Sequence, residues 1–328
     1  MKYALALCLS LAAAPASAGV AEVIDDQIRP NLAQFAEATA ALESAAEQDC
    51  RAEALRPAYQ SAFDAWMGVS HLRFGPMEEG GRALAISFWP DKRGMVGATV
   101  ARLVAEEDPI ARTPEEFGEV SVAGRGLFAL ERLFYDEALS GYGEDSYSCA
   151  LARAVTYDLA RMARELRAEW EDYAPLMLKA GEAGNDTYLS DKEARQALYT
   201  ALLSGLEFTA DQRLGRPLGT FERPRPERAE ARRSGRSLRN VILSLEALED
   251  MAEALADEPI PVTEEAFDTV LAEARDLDDP VFAGMEAPTG RLKVEILQQL
   301  TQAVRRAVEG EIGLQLGVTA GFNATDGD

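Results

Sequence analysis

The sequence predicts an all-α protein, and three observations carry the prediction. The chain is rich in Ala, Leu, Glu and Arg, side chains that lose little freedom in a helix. Runs of alternating apolar residues, the mark of half-buried strands, are few. Apolar positions recur instead at helical spacing over 21–47, 52–73, 96–106, 114–139, 147–179, 192–214, 235–256, 263–274 and 291–312. Such helices pack most simply as antiparallel bundles.

Taken in chain order, the first 18 residues, MKYALALCLSLAAAPASA, place a charged start at Lys2 before an apolar run and end on the small-residue site Ala16-Ser17-Ala18. This pattern is that of a secretory signal peptide, cleaved near Ala18 and carrying Cys8 away with it. The run is too short to span a bilayer, and no later stretch reaches about 20 uninterrupted apolar residues. The helices 21–47 and 52–73 follow. The stretch 74–94, FGPMEEGGRALAISFWPDKRG, has no helical period, and long irregular segments of helical proteins are either functional or locally packed crossovers. After 96–106, the helix expected over 114–139 contains Leu127, Leu130, Glu131 and Phe134 at i, i+3, i+4 and i+7, so Glu131 shares an apolar stripe. A buried carboxylate there must meet a cation, a metal or hydrogen-bond donors, or take up a proton.

Beyond 147–179 the Gly-, Asn- and Asp-rich stretch 180–190, AGEAGNDTYLS, reads as a linker. It divides the exported chain into two comparable helical halves, expected as domains 19–182 and 190–328. In the second half 192–214 precedes another irregular stretch, 215–226, and the helices 235–256, 263–274 and 291–312 follow. The terminal GFNATDGD resembles the opening of a calcium loop, but no bidentate glutamate follows it.

Composition excludes several function classes. With 33 basic and 56 acidic residues the net charge is −23, which repels nucleic acid and anionic membranes. Two cysteines, Cys50 and Cys149, remain in an oxidising compartment and are expected to be bonded. His71 is the only histidine, so no HExxH zinc site can be written, and GxSxG, Walker A and GxGxxG motifs are absent. The run 223–239, RPRPERAEARRSGRSLR, carries seven arginines against two glutamates. It is either a solvated, salt-bridged face or an arginine cluster turned toward acidic groups or a small anionic ligand. Ser234, Ser237 and Arg239 open the following helix, and helix starts attract anions.

AWMGVSHLRFGP (65–76), ISFWPDKRG (86–94), GLFALERLFYD (126–136), RRSGRSLRN (232–240) and GVTAGFNATDGD (317–328) together resemble the imelysin-like family, in particular its periplasmic branch. The resemblance spans nearly the whole exported chain. It implies two helical bundles around a cleft, periplasmic export, a link to iron acquisition and a peptidase label inherited from the family's first description. The family's hallmark is GxHxxE, a histidine one turn before a glutamate, like a metal-ligand pair on one helical face. Here Gly126 and Glu131 match, but Phe128 stands at the histidine position and cannot ligate a metal.

Glu131 is therefore expected to face the cleft, with two kinds of partner. The first is arginine, drawn from Arg73, Arg82 and Arg93 or from Arg233, Arg236 and Arg239. The alternative is a metal site in which His71 replaces the missing imidazole and joins Glu131 and Asp91 to bind iron or manganese. Trp89, Gly126, Phe128 and Ser237 complete the expected cleft. The leading functional expectation is a non-catalytic periplasmic binding protein in iron or haem-related uptake, delivering to a membrane uptake system. The alternatives are a metal-dependent peptidase with Glu131 as base and an interaction module with a vestigial cleft.

Overall fold

The computed structural model of the chain describes residues 19–318, and all regular structure in that span is helical apart from one isolated bridge between Thr220 and Arg223. The expected signal peptide, Cys8 and the terminal residues 319–328 lie outside the described residues. No helix of the described chain is long and apolar enough to cross a membrane.

Helix α1 covers 20–48 and includes a π-helical turn at Val23–Ile28; α2 is Ala52–Met67, α3 Met95–Glu106, α4 Gly126–Tyr135 and α5 Tyr147–Leu178. In the second half α6 is Asp191–Phe208, prolonged by a π turn at Thr209–Leu214, and α7 is Ser237–Leu255, α8 Pro261–Asp276 and α9 Pro288–Leu316. Several boundaries follow from local chemistry. The Ser146 hydroxyl accepts from Cys149 N to cap α5, prolines at the first position begin α8 and α9, and Gly317 at φ 60° ends α9.

Helix α1 packs on α2 and α5, and α4 on α2 and α5, while α8 and α9 pack together with α6 and α7 beside them. Helix α7 also reaches across to α2 and the start of α1. The buried apolar side chains of both halves accordingly form one continuous cluster. Cys50 and Cys149 are bonded as expected, with Cα atoms 5.2 Å apart, tying the α1–α2 turn to the start of α5.

Two expected helices are shorter than their periodicity suggests. The helix expected over 52–73 ends at Met67, because Gly68 begins a series of tight turns. His71 therefore sits in a buried turn and not on a helix end. The helix expected over 114–139 breaks into 3₁₀ turns at Pro114–Glu119 and Val122–Gly124 before α4 begins. The expected linker is a built turn: the Asn185 amide donates to Leu176 O and Lys179 O, and its oxygen accepts from Thr187 N and Tyr188 N.

Candidate functional site

The site begins with a glycine that no other residue could replace. Gly126 has φ +65°, and a Cβ there would lie 2.2 Å from Ala85 O and 2.3 Å from Ile86 O. The first turn of α4 can thus press against the short helix Arg82–Ile86. The preceding Arg125 locks the same end. Its Nε and Nη2 donate to Asp158 of α5 at 2.8 and 3.1 Å, and Nη1 donates to Gly118 O at 3.0 Å. With both ends of this corner fixed, the stripe read from the sequence faces inward, and Leu127, Leu130 and Phe134 are fully buried.

Glu131 is only 3 % exposed. Its partner is Ser234, from the loop before α7. The Ser234 backbone N–H donates to Glu131 Oε1 at 3.0 Å and the hydroxyl donates to the same oxygen at 2.9 Å. Burial pushes the carboxyl pKa up, and the two Ser234 bonds, then Arg233 and Arg132, pull partly against it. Tyr59 of α2, whose own ionisation is suppressed by burial and by the Glu131 charge, stands in the same cluster. Its ring packs edge-on against Phe134, and Phe63 packs edge-on against Phe128 with the Arg236 guanidinium over the Phe63 ring at 4.2 Å.

The loop carrying Ser234 is held from within by a buried ion pair. Glu230 Oε2 accepts from Arg213 Nε at 2.8 Å and from Asn240 Nδ2 at 3.0 Å, and Arg213 Nη1 donates to Thr209 and Ser244 hydroxyls. Ala231 takes a left-handed φ of 46°, which turns Arg232 and Arg233 outward after the inward-pointing Glu230. Between this loop, α4 and the 88–96 segment lies a cavity of about 170 Å³. It is lined by the aromatic side chains of Phe88, Trp89 and Phe128, by carboxyl groups of Glu131 and Asp91, and by arginines.

Of the residues expected in the cleft, Trp89, Asp91, Phe128, Glu131 and Arg233 line this cavity, and Gly126 builds it from behind. The expected arginine partner of Glu131 is corrected: none of the six candidates forms an ion pair with it. Arg82 pairs with Glu169, Arg236 and Arg239 with Asp64, and Arg233 lies 3.7 Å from Asp136. Arg73 is half-buried near His71, and Arg93 is exposed. Donors from a backbone turn satisfy a carboxylate without burying a second charge, which is the physical reason Ser234 suffices.

The expected metal set is not assembled either. Among the described residues no three His, Cys, Asp or Glu side chains are arranged so that they could hold a metal ion. His71 packs beside Gly205 with Nδ1 buried and unpartnered, and its pKa falls to about 3 through burial and the Arg213 and Arg73 charges. Both oxygens of Asp91 accept backbone N–H groups of Arg93, Met95 and Val96 at the start of α3. Ser237 is buried at the first turn of α7 with its hydroxyl unpartnered, and Arg239 points to Asp64 at the surface. The residues present therefore do not fit a metal held directly by side chains.

Sequence reasoning marked the arginine run but did not place Arg132, Arg216, Arg228 and Arg232 in the site, nor Tyr59 and Glu230. Glu230 had one faint signal, a carboxylate inside an arginine run, but nothing in the sequence pairs it with Arg213.

Comparison with known proteins agrees with this architecture. The family model described as Peptidase_M75: Imelysin matches residues 28–307. The chain is 23 % identical over 316 residues to the iron-regulated protein A of Synechococcus elongatus, covering 88 % of this chain and 83 % of that protein. The crystal structure of an imelysin-like protein from Psychrobacter arcticum superposes with a TM-score of 0.76 at 20 % identity, covering 93 % of this chain and 96 % of that one, and so shares its fold. With the hallmark glycine and glutamate in place on α4 and a family match over most of its length, the chain belongs to the imelysin family.

Proposed function

We propose that this protein is an exported, non-catalytic binding protein of iron physiology, periplasmic in location, whose ligand site is the cavity around Glu131 and Phe128. The observation that carries the reading is that the hallmark face of α4 opens onto that cavity with a phenylalanine where the family has its imidazole. The site therefore offers walls and charges for holding a ligand. The non-catalytic reading is supported by the side chains around it. The Ser234 hydroxyl is committed to Glu131 and Ala231 O, and the single imidazole lies in another part of the core.

The iron link is supported by the name of the Synechococcus relative. Export is supported by the signal-like start of the chain and by the bonded Cys50–Cys149 pair. In this reading 19–182 and 190–328 are the two bundles, the cavity is the cleft between them, and delivery is to a membrane uptake system. Deleting the gene in its host and measuring uptake of radioactive iron under iron limitation tests the proposal, with the protein located by periplasmic fractionation. Reduced uptake, restored by the parent gene, is expected. Uptake equal to that of the parent strain rejects the iron role.

A further inference from the structure

In a chain of net charge −23, five arginines line one cavity: Arg132, Arg216, Arg228, Arg232 and Arg233. Two of them share Asp136, Arg132 at 2.8 Å and Arg233 at 3.7 Å. The other three, Arg216, Arg228 and Arg232, form no ion pair and no side-chain hydrogen bond among the described residues. Arg216 Nε is buried without any partner.

The carboxyl groups of the cavity wall do not neutralise them. Asp91 spends both oxygens on backbone N–H groups, Glu131 Oε1 is taken by Ser234, and Glu227 approaches only Arg225, at 3.4 Å. The guanidiniums also work against one another. Arg216 is held below its usual pKa by burial and by Arg228, and Arg233 by burial and then by Arg132.

Arg228 and Arg232 are exposed and Arg216 is half-buried, so all three remain open to an anion arriving from solvent, and the planar fork of arginine matches a carboxylate with two parallel hydrogen bonds. The aromatic wall selects further. Phe88, Trp89 and Phe128 offer a face to a carbon skeleton, which an inorganic anion lacks.

We propose that the cavity binds a small organic acid with two or more carboxylates, its charged groups on Arg216, Arg228 and Arg232 and its carbon frame against Trp89 and Phe128. The assignment rests on the preceding section only in taking this cavity as the ligand site. Such an acid arrives either free or as the oxygen-donor shell of a ferric chelate, and the second source would carry iron into a site that has no side-chain ligands for it.

Calorimetry on the untagged protein tests the proposal with citrate, ferric citrate and inorganic phosphate as probes. Citrate is expected to bind, and Arg216→Gln and Arg232→Gln are each expected to weaken it by about tenfold, the loss of one charge-assisted hydrogen bond. Arg223→Gln, on the same arginine run but away from the cavity, is expected to leave binding unchanged. Circular dichroism and melting of each variant establish that the fold is kept, and the exposed Arg232 is the safer of the two sites. Tighter binding of ferric citrate than of citrate identifies the chelate as the physiological form, and equal or weaker binding identifies the free acid. No heat with either carboxylate probe at millimolar concentration, affinity indifferent to both substitutions, or phosphate binding as tight as citrate would overturn the proposal. Citrate binding in a protein whose deletion leaves iron uptake intact would reject the iron role alone.

Discussion

Ser234 donates both its backbone N–H and its hydroxyl to one oxygen of Glu131, joining α4 of the first half to the loop before α7 of the second. The arginine run 223–239 passes through this loop into α7. Its contact with the buried glutamate is nevertheless made by a neutral serine. Of the neighbouring guanidiniums Arg233 lies near Asp136 and Arg236 pairs with Asp64, while Arg232 forms no ion pair among the described residues.

Glu131→Gln is expected to cost about 1 kcal/mol or less near pH 5, because an amide oxygen accepts both Ser234 bonds. Burial raises the folded-state pKa of Glu131 above its ordinary 4.5, so its stabilising contribution is complete below that value and is lost as pH rises through the native pKa. The glutamine variant should therefore lose part of the decline in stability seen on going from acid to neutral pH. Glu249, also raised, to about 7, declines in both proteins, and the difference between them isolates Glu131. Urea denaturation of both proteins from pH 4 to 8 measures this, and parallel curves would contradict it.

Ser234→Ala removes the hydroxyl bond and keeps the backbone one. A loss of about 1–3 kcal/mol is expected, together with a further rise of the Glu131 pKa, since a bond to the charged form is gone. Infrared titration of the carboxyl band reads the second effect directly.

Glu230→Ala should destabilise by about 3–5 kcal/mol, because it strands the buried Arg213 charge. Replacing Arg213 and Glu230 together with methionines should recover much of that loss. If the double variant is as unstable as the sum of the singles, the pair is not the source of the cost. Thermal melts of the two singles and the double decide it.

Phe128→His restores the family pattern, placing an imidazole one turn from Glu131 on the cavity face. The variant is expected to bind ferrous or ferric iron more tightly than the parent by calorimetry. Unchanged binding with the helical spectrum intact would show that the cavity has lost metal competence beyond this one side chain.

Reduction of Cys50–Cys149, which closes a sequence separation of 99, should lower stability by roughly 4–5 kcal/mol on the chain-entropy account. Chemical denaturation with and without reductant measures the difference.

The sequence by itself determined the helical class, the positions of most long helices, the Cys50–Cys149 bond and the inward face of α4. These rest on local periodicity and on small numbers of reactive residues, which a linear chain displays openly. It also raised the right question about Glu131, because an acidic residue on an apolar stripe is visible without coordinates. What answered it was tertiary. Ser234 lies 103 positions away, and nothing in its neighbourhood distinguishes a serine that donates to a buried carboxylate from one that caps a helix. The turns after Gly68 that remove His71 from a helix end are closed by short-range backbone bonds, and Gly126 meets the distant Ala85 and Ile86 carbonyls, and apolar periodicity encodes neither. The arginines follow the same rule. Which of them find carboxylates and which are left facing the cavity depends on the fold that brings Asp64, Asp136 and Glu169 to some and not to others, because charge pairing acts through space and not along the chain.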